Sequence, residues 1–165
     1  MSKRHLRFAE TEKTLAVKRL LRSYADSVKE KDNCYKAIDL INERLCNAGV
    51  GELSGMPRNP SPSFDRWTDL LDQKIELENE LKELSERIRV CRNEICGLFQ
   101  YISDVEAKMV VRYKYLFGME WKDVVAEIFV EKADFMEKEE SYTRRVFRLH
   151  EKAVYEMSRH YNEKL

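Results

Sequence analysis

One helix-length heptad pattern constrains this chain more than any other feature. Trp67, Leu81, Ile88, Ile95 and Ile102 occupy one core line, and Leu70, Leu77, Leu84, Cys91 and Leu98 the other, with Lys74 the one lapse. A repeat of 3.5 residues held over five heptads specifies a coiled-coil-like helix of about 36 residues, roughly 54 Å long at 1.5 Å per residue. Such a helix must cover its apolar seam along its whole length. The nearest cover is an upstream segment, from about Glu10 to Leu45, where Val17, Leu21, Tyr24, Val28, Tyr35, Ile38, Ile41 and Leu45 recur by threes and fours. Between the two, the stretch 47–64 collects three of the five glycines and all three prolines, which marks a loop. The expectation is an antiparallel helical hairpin over 1–102. Each of its helices has one seam in use, and a second copy of the chain is expected to cover what is left.

Composition agrees with an all-α chain. Charged residues make up 36% and hydrophobic ones 43%, with only five glycines and three prolines among 165 residues. Thirty basic and thirty acidic residues cancel, so no overall field draws the chain to a polyanion and any such contact must be local. Two local basic patches exist. Residues 1–24 hold seven Lys or Arg against two acids, and residues 141–159 hold five against two. Cys34, Cys46, Cys91 and Cys96 form no C-x-x-C pair and lack the density of a disulfide scaffold, which favours reduced thiols and a cytoplasmic location. No apolar run reaches the about 20 residues of a membrane span, and the N-terminus lacks the apolar core of a signal peptide.

Residues 103–165 read as three shorter helices. Ser103 followed by Glu106 is a capping-box spacing, and Val105, Met109, Val110, Tyr113, Leu116 and Phe117 give the next four turns an apolar stripe ending at Gly118. Trp121, Val124, Val125, Ile128 and Phe129 fall at i, i+3, i+4, i+7 and i+8 of a second helix. A third can start with Ser141 as N-cap, burying Tyr142, Val146, Leu149, Ala153 and Met157. At about 100° per residue, Arg144, Arg148 and Lys152 lie opposite that stripe and Arg145 at the edge of the same outward face. A helix held by one side and basic on the other, after two short helices, suits insertion into the DNA major groove.

These residues carry a resemblance. Tyr113-Lys114-Tyr115, Gly118 to Ala126, and Thr143 to Val154 resemble the DNA-binding region 4 of bacterial sigma factors. They are closer still to small phage regulators of late transcription of the ArpU and RinA type, and Gly55-Met56-Pro57-Arg58 looks like the linker of such proteins. The chain departs from that pattern by inserting Glu131 to Glu140, which contains five acids, between the tryptophan helix and the arginine helix. The resemblance implies a three-helix, sigma region 4-like helix-turn-helix domain over 103–165. It further implies a phage or prophage transcriptional regulator, an activator of late genes, acting on double-stranded DNA in the bacterial host cytoplasm. Tyr142, Thr143, Arg144, Arg145, Arg148 and Lys152 are the expected DNA contacts.

Other chemistry finds little footing. Glu80, Glu83 and Glu86 have the spacing of magnesium-binding acids, but they avoid the core positions and interleave with Lys74, Lys82 and Arg87, as on a solvated helix face. His5, His150 and His160 lack ligand partners at useful spacing, and neither a phosphate loop nor a nucleophile motif occurs. No enzyme activity, metal, cofactor or small-molecule substrate is expected. His150 reads as a buried, hydrogen-bonded histidine and Trp121 as a core anchor. Phe147 either meets a thymine methyl or covers the neighbouring turn. The basic residues Lys3, Arg4, Arg7, Lys13, Lys18, Arg19 and Arg22 either track phosphates or form the polar face of the first helix. Two other functions compete with the regulator. One is a coiled-coil adaptor docking on RNA polymerase or a phage assembly partner, favoured by the acids of 131–140; the other is a small-terminase-like DNA-recognition protein.

Overall fold

The computed structural model describes residues 11–50 and 62–161. The expected linker Gly55 to Arg58, His5 and the basic residues Lys3, Arg4 and Arg7 lie outside them. The described residues are all-helical. Helix α1 spans Glu12–Val50, α2 spans Pro62–Leu98, α3 Val105–Val111, α4 Trp121–Phe129 and α5 Phe135–Ser158; a 3-10 turn, Phe99–Tyr101, follows α2. The two long helices pair. Both enter the stretch expected to be loop, because a lone Gly49 costs a helix only about 1 kcal/mol and a proline is tolerated in a first turn, where its missing N–H has no intrahelical partner.

The chain divides into two compact units, residues 1–25 with 90–165, and residues 26–89. The first begins with Thr11 capping α1: its hydroxyl accepts from the Thr14 N–H at 3.3 Å, and the Thr14 hydroxyl oxygen accepts from the Thr11 N–H at 2.8 Å. Most of the core is here. Val17, Leu21, Ile95, Val110, Val111, Val124, Phe129, Val146, Val154 and Met157 are its largest fully buried side chains. Among the shorter helices, α5 packs on both α3 and α4, and these two pack on each other.

The second unit holds residues 26–50 of α1 and 62–89 of α2. Its buried apolar side chains are Cys34, Ile41, Leu70 and Leu84. Burial first, and then the nearby Glu80 charge, pushes the Cys34 thiol pKa up. Within this unit Leu70 and Leu84 of one heptad line are buried and Leu77 half-buried, whereas on the other Trp67 is 44% exposed and Leu81 and Ile88 are half-buried.

Candidate nucleic-acid interface

The site expected from sequence lies on α5, and its geometry begins at the N-terminus of α3. The cap is Asp104, not Ser103: one Asp104 carboxylate oxygen accepts from the N–H groups of Glu106 at 3.0 Å and Ala107 at 3.3 Å. Ser103 instead turns to α5, where its N–H and its hydroxyl both donate to the Glu156 carboxylate at 2.8 Å. The second Asp104 oxygen accepts from the Lys152 ammonium at 2.9 Å. That bond, ahead of the two backbone N–H groups, holds the Asp104 pKa below the usual carboxylate range.

The four-turn helix expected after Ser103 does not stay α-helical. α3 passes into a π-helical turn at Arg112–Leu116, closed by the Phe117 N–H donating to the Arg112 carbonyl at 3.1 Å. Ala107, Val110, Val111 and Tyr115 are buried, while Val105 and Phe117, both assigned to the stripe from sequence, are exposed: Val105 lies about 160° from Ala107 on the regular helix, and Phe117 follows the wider turn. Gly118 then turns the chain at φ +68°, a left-handed conformation that favours glycine.

Tyr115 is thereby set against His150, with Oη to Nε2 at 3.1 Å, and the Trp121 ring meets the imidazole edge-on at a centroid distance of 5.2 Å. Burial, then the nearby Lys18 and Arg22 charges of α1, lower the His150 pKa to about 4, and burial also raises that of Tyr115. His150 is thus a neutral core residue. Phe147 packs on Trp121 at a tilt, with ring centroids 5.0 Å apart, and the Lys114 ammonium lies over the indole ring at 5.2 Å while donating to the Met119 carbonyl at 3.0 Å.

α5 starts six residues before the expected N-cap at Ser141. Phe129 stacks on Tyr142 at 4.8 Å and Phe135 packs on Tyr142 at 6.0 Å, so non-local aromatic burial draws the residues before Ser141 into the helix. A local kink at Lys138 (φ −121°, ψ 21°) marks the join. Asp134, just before the helix, accepts from the Lys138 ammonium at 2.8 Å and the Tyr142 hydroxyl at 2.7 Å, and these bonds lower its pKa to about 2. Most of the acidic insert is therefore the first part of α5 itself.

The buried side of α5 consists of Val146, Leu149, His150, Ala153, Val154, Met157 and Ser158. Arg144 and Arg148 are exposed on the outside, one turn apart, as the helical angle requires. Each of the six expected contact residues also has a partner within the chain. Tyr142 meets Asp134, and the Thr143 hydroxyl donates to the Glu139 carbonyl at 2.9 Å. Arg144 pairs with Glu140; Arg145 reaches Glu106 at 2.7 Å and lies over the Phe129 ring at 5.1 Å. Arg148 donates to the Arg144 carbonyl at 3.3 Å, and Lys152 holds Asp104. Of the carboxylates that face these cations, Glu140 lies in the acidic stretch noted from sequence, whereas Asp104 and Glu106 were missed as partners.

No helix among the described residues is long and apolar enough to cross a membrane. No family model, curated protein or solved structure matches the chain.

Proposed function

We propose that the chain is a non-enzymatic, double-stranded DNA-binding regulator of phage or prophage transcription, an ArpU- or RinA-like activator of late genes. α3, α4 and α5 would serve as its sigma region 4-like helix-turn-helix. The observation that carries the reading is the pair Arg144 and Arg148, exposed one turn apart on a helix whose opposite side is locked into the core. Thr143 and Arg145 flank them. The acidic partners do not bar this use. Exposed ion pairs contribute only about 0–1 kcal/mol, so a phosphate can displace Glu140 from Arg144 at little cost. The acids of the first α5 turns would be repelled by phosphate, so reading falls to the middle of α5, from Thr143 onward, rather than to its N-terminal turn.

The same carboxylates favour a second reading, an adaptor that docks on RNA polymerase or a phage assembly partner. Tyr142, Arg144, Arg145 and Lys152 all face acids already, which lowers the net attraction of this surface for a polyanion. Fluorescence anisotropy of the full chain on labelled mixed-sequence duplex, across salt concentration, separates the two. The regulator reading expects affinity to fall steeply with salt, and Arg144→Ala with Arg148→Ala to reduce the log–log slope by about 1 per lost phosphate contact. On a selected operator the same changes cost roughly 1–3 kcal/mol per base-reading contact. Absence of salt-dependent binding rejects the regulator in favour of the adaptor.

A further inference from the structure

We propose that Phe147 is a base-reading residue that selects a thymine through its 5-methyl group, an inference that rests on the DNA-binding reading above and adds a base to it. At about 100° per residue, Thr143, Phe147, Arg144 and Arg148 follow one another around α5 within a sector of about 140°. Phe147 is 43% exposed there; the other exposed large apolar side chain on α5 is Met136, in its first turn. The ring is held in place. It packs on Trp121 with centroids 5.0 Å apart, and Trp121 in turn meets the imidazole of His150 at 5.2 Å and lies under the Lys114 ammonium at 5.2 Å. A ring fixed from behind keeps its direction, so docking a ligand on its open part costs little side-chain entropy.

The chemistry of the ring decides what it recognises. A phenylalanine side chain has no donor or acceptor, so against most base edges of the major groove it would strip water from polar groups and give nothing back. The thymine methyl is the apolar group on those edges, and an apolar ring selects it by attraction while rejecting the polar alternatives. Two acids share this face, Glu140 two turns before Phe147 and Glu151 one turn after it, and both are exposed. Both repel phosphate, which directs the ring between them to base edges and away from the backbone; a carboxylate in the groove accepts from a cytosine amino group. Register follows from the helix. Phe147 lies about 4.5 Å along the axis from Arg144, little more than one base-pair rise of about 3.4 Å, so the thymine falls within about two base pairs of the group that Arg144 meets.

The probe is a duplex selected from a random pool by the full chain, with each thymine replaced in turn by deoxyuridine, which lacks only the methyl group. One position, or two adjacent ones, is expected to lose about 4-fold in affinity by fluorescence anisotropy, the worth of burying one methyl-sized group. Phe147→Ala and Phe147→Gln are each expected to abolish that difference while leaving the salt slope of binding unchanged, which the loss of a phosphate contact would not do. Circular dichroism shows whether the variants are folded, and the deoxyuridine scan on the unaltered chain decides the question where they are not. A selected duplex that binds equally well at every replacement overturns the proposal and leaves the DNA-binding reading standing. A methyl effect that the folded variants retain overturns the assignment to Phe147. A folded chain that enriches no duplex overturns both readings.

Discussion

Acid should loosen the C-terminal unit through His150 before it reaches any carboxylate. The imidazole is 9% exposed, meets the Tyr115 hydroxyl and the Trp121 edge, and faces Lys18 and Arg22 across the core. Burial, reinforced by those two cations, places its folded pKa at about 4 against 6.5 for the free side chain. With the folded value depressed, the unfolded chain binds the proton more readily. Stability is therefore full above pH 6.5 and declines as pH falls from 6.5 toward 4. Linkage over that interval gives a loss of about 2 kcal/mol between pH 7 and pH 5, approaching about 3 kcal/mol near pH 4. For a unit of this size the first figure corresponds to a fall in Tm of roughly 8–16 °C. Thermal melts followed by Trp121 fluorescence in a Trp67→Phe background report on this unit. His150→Gln keeps a polar partner for Tyr115 and cannot titrate, so its Tm should be lower at pH 7 but nearly flat from pH 7 to 5. A wild-type Tm that is flat over the same interval refutes the argument, as does a slope that His150→Gln retains.

Other substitutions test the elements that position α5. Asp104→Ala removes the α3 cap and the Lys152 partner together and should cost about 1–2 kcal/mol by urea denaturation, with Asp104→Asn recovering part because it still caps. Gly118→Ala should cost about 1–2 kcal/mol in the same assay; the space around Gly118 is open, so the whole cost is the left-handed backbone, and Gly118→Asn should lose less. Phe129→Ala empties a fully buried site and releases Tyr142, so a loss of about 3–5 kcal/mol is expected, measured as the midpoint shift at constant m-value.

What could be read from the sequence divides by how far the deciding contact lies along the chain. The two long helices, the placement of α4 and the outward direction of Arg144 and Arg148 depend on apolar spacing within a few turns, and the pattern carries them. The heptad lines were legible but not their depth, since Trp67 and Leu70 look alike until it is known which line faces α1. Ser103 and Asp104 are adjacent residues of equal capping ability, and what separates them is Glu156, 53 residues away, which engages the serine. Ser141 is a good N-cap that α5 overrides because Tyr142 can stack on Phe129. The same rule governs the candidate site. Helical angle gives the direction of a charged side chain, whereas its partner comes from tertiary contact: Glu106 is 39 residues from Arg145 and Asp104 is 48 from Lys152. The net charge that α5 offers a polyanion is thus its least local property. It is also the property on which a DNA-binding role and an adaptor role part, so the variants that decide between them include Glu106→Gln and Glu140→Gln. Freeing Arg145 and Arg144 in this way should tighten duplex binding severalfold if α5 meets phosphate, and should leave it unchanged if another surface, or no surface, does.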